Sequence, residues 1–262
     1  MEISPAPAAV AVAFDFGQTL CDLDTAFLAR RLAERGLSVS AGILDAAMDQ
    51  AWGVYNASIA SGAGKGQPWR ELMRALVRHG EPKPPPAALE SLIDWLWSEQ
   101  PRKNLWRRPV PGMLELVRSL GGGAAARAAH AGDGRPSPVA SPPVALISNS
   151  EGHIAALAAE VGLAGAFDVI ADSFLVGADK PDPLIFRWTA ERLGVPLDRL
   201  VYVGDSFSAD GQGALGAGCR AAIWFRGRPD AAAGDRRILC AQDASEVRAA
   251  LQRLGVAAPA FR

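Results

Sequence analysis

The sequence predicts an α/β protein, a parallel sheet with helices on both faces, interrupted near its start by a helical insert. Three observations carry this. Short apolar runs (Ala8 to Phe14, Val144 to Ile147, Val169 to Ala171, Leu200 to Val203 and Ala221 to Phe225) alternate with helical segments, the pattern of strands buried on both faces. The first four runs each end in polar residues: Asp15; Ser148 and Asn149; Asp172; Gly204 and Asp205. In open parallel sheets the site lies beyond the carboxyl ends of the strands, so these scattered residues are expected to converge on one crevice. From Asp24 to about Trp106 the texture changes to helical periodicity, which places an inserted domain at 23–106 and a core domain at 1–22 and 107–262.

Within the insert, "DTAFLARRLAERG" reads as a helix with Asp24 as N-cap and Gly36 as its stop. "ILDAAMDQAWGVYNASIA" is a second helix. "PWRELMRALVRHG" is a third, with Pro68 in its first turn and Gly80 at its end. After the break "PKPPP" comes a fourth, "AALESLIDWLWSEQ". Five of the seven tryptophans (Trp52, Trp69, Trp95, Trp97 and Trp106) fall in the insert, and their helical spacing favours bundle core over a substrate wall. Between the helix "PGMLELVRSL" and the second run, Gly121 to Pro143 is low in complexity and is expected to be a surface loop, with His130 solvated in it.

Composition removes several classes. The 262 residues are 49% hydrophobic and 21% charged, enough to bury a substantial core. A formal net charge of −1 with scattered cations offers no basic stripe for nucleic acid. Cys21, Cys219 and Cys240 are too few and too far apart for a disulfide framework or a thiolate cage. No apolar run reaches the roughly 18–20 residues of a membrane span, and "MEISPAPAAV" opens on an acid, so a cytoplasmic protein with no membrane partner is expected.

Four motifs carry the chemistry. "VAFDFGQTLCD" ends the first run in Asp15, with Gly17 two residues on and Thr19 after it. "VALISNS" presents Ser148 and Asn149, a hydroxyl and an amide suited to holding an oxyanion. "GADKPDPLIF" places Lys180 just ahead of a helix capped by Asp182, and "VYVGDSFSADGQGALGAG" supplies Asp205 and Asp210. A phosphoryl group in transfer is strongly anionic, so its site needs a nucleophile, a cation and a metal; Asp15, Lys180 and Asp205 fit those parts. Only four of the 27 basic residues are lysine (Lys65, Lys83, Lys103 and Lys180), which marks Lys180 as a position where a compact point charge is wanted. Taken singly, each motif also reads as turn and capping residues.

In this order, at strand ends, the motifs resemble those of the haloacid dehalogenase superfamily with a helical cap after the first motif, a resemblance covering Val10 to about Phe225. It implies a Rossmann-like core and a hydrolase, most often a Mg²⁺-dependent phosphatase acting on a small phosphorylated metabolite. Asp15 would be the nucleophile, forming an aspartyl-phosphate. Ser148, Asn149, Lys180 and Thr19 would hold substrate, Ser148 and Lys180 on the phosphoryl oxygens. Asp15, Asp205, Asp210 and the main chain of Gly17 would hold Mg²⁺.

Gly17 departs from the family pattern, whose phosphatases carry there the aspartate that protonates the leaving oxygen and later activates water. Good leaving groups are therefore expected. Dehalogenases dispense with that acid but also lack the first acid of "GDSFSAD", which is present here as Asp205. Phosphonate hydrolases of the superfamily use a cap lysine, for which Lys65 is the candidate, although a solvated turn lysine is the simpler reading. His153, after "ISNSEG", is an alternative proton donor or an ordinary first-turn residue. A catalytically weak protein that binds a phosphorylated ligand or a partner is the remaining alternative. The sequence leaves the oligomeric state open.

Overall fold

The computed structural model describes residues 9–64, 66–120, 141–229 and 234–256. The expectations for Lys65, for His130 and for most of the 121–143 loop fall outside the described residues. The chain divides into two compact units, Met1–Asp22 with Trp106–Arg262, and Leu23–Leu105.

The first unit is built on six parallel strands in the order β5-β4-β1-β6-β7-β8. These are β1 (Ala11–Phe14), β4 (Val144–Ser148), β5 (Val169–Asp172), β6 (Leu200–Gly204), β7 (Ala221–Phe225) and β8 (Ile238–Ala241). A separate pair joins β2 (Cys21–Leu23) to β3 (Trp106–Pro109). Every residue of β1 is buried, and successive side chains point to opposite faces. Val12 and Phe14 pack with Leu116, Leu157 and Val247 on one face; Ala11 and Ala13 pack with Ile185, Phe186 and Ala214 on the other. Helices thus cover both faces, and β1, next to the point where strand order reverses, delivers the residue that follows it, Asp15, to the carboxyl-end crevice.

The second unit is helical: α1 (Thr25–Ala33), α2 (Ala41–Ala60), α3 (Gln67–Val77) and α4 (Pro86–Glu99). Asp24 caps α1 by accepting from Phe27 N at 2.7 Å, and Pro68 lies in the first turn of α3. No helix among the described residues is long and apolar enough to cross a membrane.

Three expectations need correction. Strands β2, β3 and β8 were not legible as strands. Trp106, assigned by sequence to the insert, begins β3 and belongs with the sheet unit. The insert's tryptophans are not uniformly core: Trp69 is buried, whereas Trp52, Trp95 and Trp97 are half-buried. Trp95 instead makes cation–π contacts, with the Arg31 and Arg35 guanidinium groups each 4.5 Å from its ring centroid.

Candidate active site

Asp15 is placed by the central strand. Its N–H donates to Val203 O at 2.8 Å, carrying the β1–β6 ladder one residue past the end of β1 and fixing where the carboxylate leaves the sheet. Lys180 is placed by Asn149. The Asn149 amide accepts from Lys180 N at 2.8 Å and donates to Lys180 O at 3.0 Å, while Asp182 caps the following helix through Leu184 N at 2.8 Å. Both ends of the Asn149 amide are therefore committed to the main chain. The amide thus clamps the Lys180 main chain through its oxygen and one of its two N–H donors, and the second donor is left for other partners.

Asp210 sits in the π-helical segment Phe207–Gln212 that follows β6, with its Oδ2 accepting from Ser206 N at 2.9 Å. That approach requires Gly204, since a Cβ there would fall 2.4 Å from Asp210 Cγ. Asp205, at the end of β6, is steadied through its carbonyl, which accepts from Trp224 Nε1 at 2.7 Å.

The three motifs meet at the Lys180 ammonium. Nζ donates to Asp15 Oδ1 at 2.6 Å, to Asp210 Oδ1 at 2.7 Å and to the Tyr202 hydroxyl at 2.8 Å, and that hydroxyl donates to Ile147 O at 3.1 Å. An ammonium has three N–H donors, and all three are matched. A ligand oxygen reaches Lys180 only by exchange with one of these partners. Tyr202 was read as a plain core residue of β6; the signal that could have found it is a phenol inside a fully buried run, since a buried hydroxyl needs a partner.

The electrostatics follow from burial. Desolvation drives the Asp15 carboxyl up, Lys180 pulls it down and Asp210 raises it again, leaving it at about 6. Desolvation, then Asp210 and Asp15, push Asp205 well above the usual carboxylate range. Burial alone would lower the Lys180 ammonium, but Asp15 and Asp210 outweigh it and hold it charged. Burial, with Asp210 and Asp15, also keeps the Tyr202 phenol protonated.

One carboxylate oxygen from each of Asp15, Asp205 and Asp210 lies within 4.8 Å of the others. Three acids against one ammonium are under-neutralised, and hard oxygen donors in a set of this size suit a small divalent cation such as Mg²⁺. These residues fit that group.

The remaining candidates are less engaged. Ser148 is buried at the end of β4, and its hydroxyl has no partner among the described residues. Thr19 Oγ1 is fully buried and has no hydrogen-bond partner among the described residues. Asp172 is not part of the cluster: it braces the loop after β4 by accepting from Gly152 and Ile154 N–H groups and caps the helix Ser173–Val176 by accepting from Phe174 N. His153 is exposed at the start of the helix Ile154–Ala158. Gly17 leaves no side chain in the site.

Comparison with known proteins gives a consistent result. The haloacid dehalogenase-like hydrolase family matches residues 10–218. Haloacid dehalogenase-like hydrolase domain-containing protein 3 of Mus musculus is 36% identical over 75 residues, which is 29% of this chain and 30% of that protein's length. Among solved structures, the magnesium-bound HAD-hydrolase YfnB of Bacillus subtilis aligns with a TM-score of 0.66 at 16% identity, covering 94% of this chain and 99% of the other. A HAD family hydrolase of Deinococcus radiodurans with bound phosphate and sodium aligns with a TM-score of 0.57 at 24% identity, covering 96% and 99%. A dehalogenase in an intermediate complex aligns with a TM-score of 0.57 at 20% identity, covering 94% and 98%. At these identities the structural likeness concerns the fold.

Proposed function

Because the chain belongs to the haloacid dehalogenase-like hydrolases, whose family pattern spans residues 10–218, we propose that it hydrolyses a small phosphorylated metabolite through a phosphorylated Asp15. The observation that supports this reading is the convergence of Asp15 and Asp210 on Lys180 Nζ at 2.6 and 2.7 Å, with the Asp205 carboxylate beside them. A carboxylate held next to a fixed ammonium and two further acids is arranged for attack on an anionic centre, once that centre's charge is offset.

In this reading Asp15 attacks phosphorus, the bond to the leaving oxygen breaks with its electron pair, and an acyl phosphate remains on Asp15. Water then attacks phosphorus, releasing inorganic phosphate and returning the carboxylate. Asp15, Asp205 and Asp210 would hold Mg²⁺, with the Gly17 carbonyl as a further donor. When bound, that ion supplies charge neutralisation to the phosphoryl oxygens. Lys180 exchanges one of its present partners for a phosphoryl oxygen, and the unpaired Ser148 hydroxyl is available to donate to another. Thr19 is the remaining residue assigned to substrate. With glycine at position 17 no carboxyl stands ready there to protonate a leaving oxygen, so acyl and aryl phosphates are turned over in preference to alkyl phosphates.

The test is a screen of aryl, acyl and alkyl phosphates, phosphonates and 2-haloacids, each with Mg²⁺ and with excess chelator. Mg²⁺-dependent release of phosphate from aryl and acyl phosphates is expected. Full activity on 2-haloacids in chelator would transfer the assignment to C–X hydrolysis, and no turnover in any class would leave a phospho-ligand-binding or interaction protein.

A further inference from the structure

Gly17 does not owe its identity to its backbone. Its φ lies outside the left-handed region that Gly36, Gly62 and Gly66 occupy, so the conformational reason for a glycine is absent. What limits the position is space. A Cβ at residue 17 would lie 3.3 Å from Trp106 Cδ1 and 3.4 Å from Trp106 Nε1, and its third-nearest atom, at 4.0 Å, is Cγ of the same indole. Trp106 alone stands where a side chain would project.

That indole is held in place. Gln18, the next residue, adopts a left-handed backbone with φ 56°. With its amide turned so that both ends are satisfied, its oxygen accepts from Trp106 Nε1 at 3.3 Å and its nitrogen donates to Asp22 Oδ1 at 3.0 Å. Arg226 grips Asp22 with two bonds of 2.7 and 3.1 Å and reaches Gln18 O at 3.4 Å. The ring also packs against the core cluster that contains Phe14, Phe16 and Leu20. A chain of bonds from Arg226 through Asp22 and Gln18 thus helps to hold the indole over Gly17.

We propose that Trp106 is a specificity-determining residue of this site: it stands where a side chain at position 17 would project, and so keeps an acid placed there from serving the leaving oxygen. The proposal deepens the phosphatase reading above and rests on it. An indole N–H donates a hydrogen bond but neither gives up its proton nor takes one near neutral pH, so it cannot replace a carboxyl in acid–base work. A carboxylate introduced by Gly17→Asp meets the pyrrole edge of the ring or is captured by Nε1–H, and in either case is kept from the leaving oxygen.

The experiment is a double-mutant cycle over Gly17→Asp and Trp106→Ala, with Trp106→Leu in its place should the alanine variant fail to fold. kcat/KM is measured with Mg²⁺ on one aryl and one alkyl phosphate. Gly17→Asp alone is expected to change alkyl-phosphate hydrolysis by less than about 2-fold, whereas adding it to the Trp106 variant raises that reaction by about 10-fold or more. An equal gain in both backgrounds, or none in the Trp106 variant, overturns the proposal. Melting temperature supplies a readout independent of turnover. Gly17→Ala is expected to lower it by roughly 3–8 °C in the natural protein, through overpacking against the indole, and to leave it nearly unchanged in the Trp106 variant. Additive melting shifts overturn the assignment of Trp106. An inert enzyme with coupled melting shifts overturns the phosphatase reading instead, and keeps Trp106 as the residue that fills position 17.

Discussion

The two units use the same pairing of cation and carboxylate in opposite surroundings. In the helical unit Arg74 bonds Glu90 at 2.7 Å with the two side chains 30% and 48% exposed. In the sheet unit Lys180 bonds Asp15 at 2.6 Å and Asp210 at 2.7 Å with all three side chains between 2% and 11% exposed. Water screens the first pair, so it adds little; its evident consequence is that the Arg74 hydrogen bond lowers the Glu90 carboxyl's proton affinity. Water is nearly absent from the second cluster, where desolvation raises Asp15 and Asp205 while the carboxylates keep Lys180 charged. Buried charges of this kind are expensive to hold and cluster at functional sites, which separates a candidate catalytic centre from a solvated helix face.

Four measurements sharpen or break this contrast. The largest effect is expected for Asp15→Asn, which should lower kcat on an aryl phosphate by at least about 10³-fold because an amide cannot form the acyl phosphate. The same variant should melt no lower than the natural protein and is expected to melt higher, since it removes a carboxylate whose ionisation the folded state resists. A variant that keeps most of its turnover removes Asp15 as nucleophile.

Next is Lys180→Met, which leaves Asp15 and Asp210 buried without their cation. Urea unfolding at pH 7 should give a loss of about 3–5 kcal/mol, shrinking as acid protonates the orphaned carboxyls. A loss below about 1 kcal/mol would place the cluster with the screened surface pairs.

The third measurement is the pH dependence of the metal-free protein. The folded Asp15 carboxyl keeps its proton up to about pH 6, against 3.8 for its ordinary value. Between those values the folded state binds more protons than the unfolded one, so stability contributed by this group is present below the window and falls as pH rises through it. Urea midpoints taken in chelator across the window should decline more steeply for the natural protein than for Asp15→Asn. Parallel curves refute the shift.

The smallest effect is expected for Arg74→Ala, about 0.2–1 kcal/mol in urea unfolding, with turnover unchanged. A cost several-fold larger would mean that the exposed network of Arg74, Glu71 and Glu90 bears on the fold of the helical unit after all.

Much of the fold was legible because local patterns encode local geometry. The apolar runs of β1, β4, β5, β6 and β7 stood out as doubly buried strands, and Asp24 and Asp182 announced their helices by capping chemistry. β2, β3 and β8 escaped for a physical reason. β2 is three residues long; β3 and β8, four residues each, show burial patterns that neither alternate nor stay buried throughout. Such segments become strands through a partner, which for β2 and β3 is remote in sequence. Tyr202 escaped because its ring belongs to an apolar run, and only its hydroxyl, bonded to Lys180 and Ile147, ties it to the cluster.

By itself the sequence determined which chemistry was on offer and where: a carboxylate after β1, hydroxyl and amide after β4, a lysine ahead of a capped helix, two aspartates after β6, and no side chain at position 17. Only the tertiary structure decided who is bound to whom. Asn149 clamps the Lys180 backbone, the lysine's three donors are already taken, and Trp106 lies over Gly17. Strand and helix periods fix the direction of a side chain relative to its own neighbours in sequence. The bond from Lys180 to Asp15 spans 165 positions, and a distance of that kind is set by how the sheet brings its strand ends together.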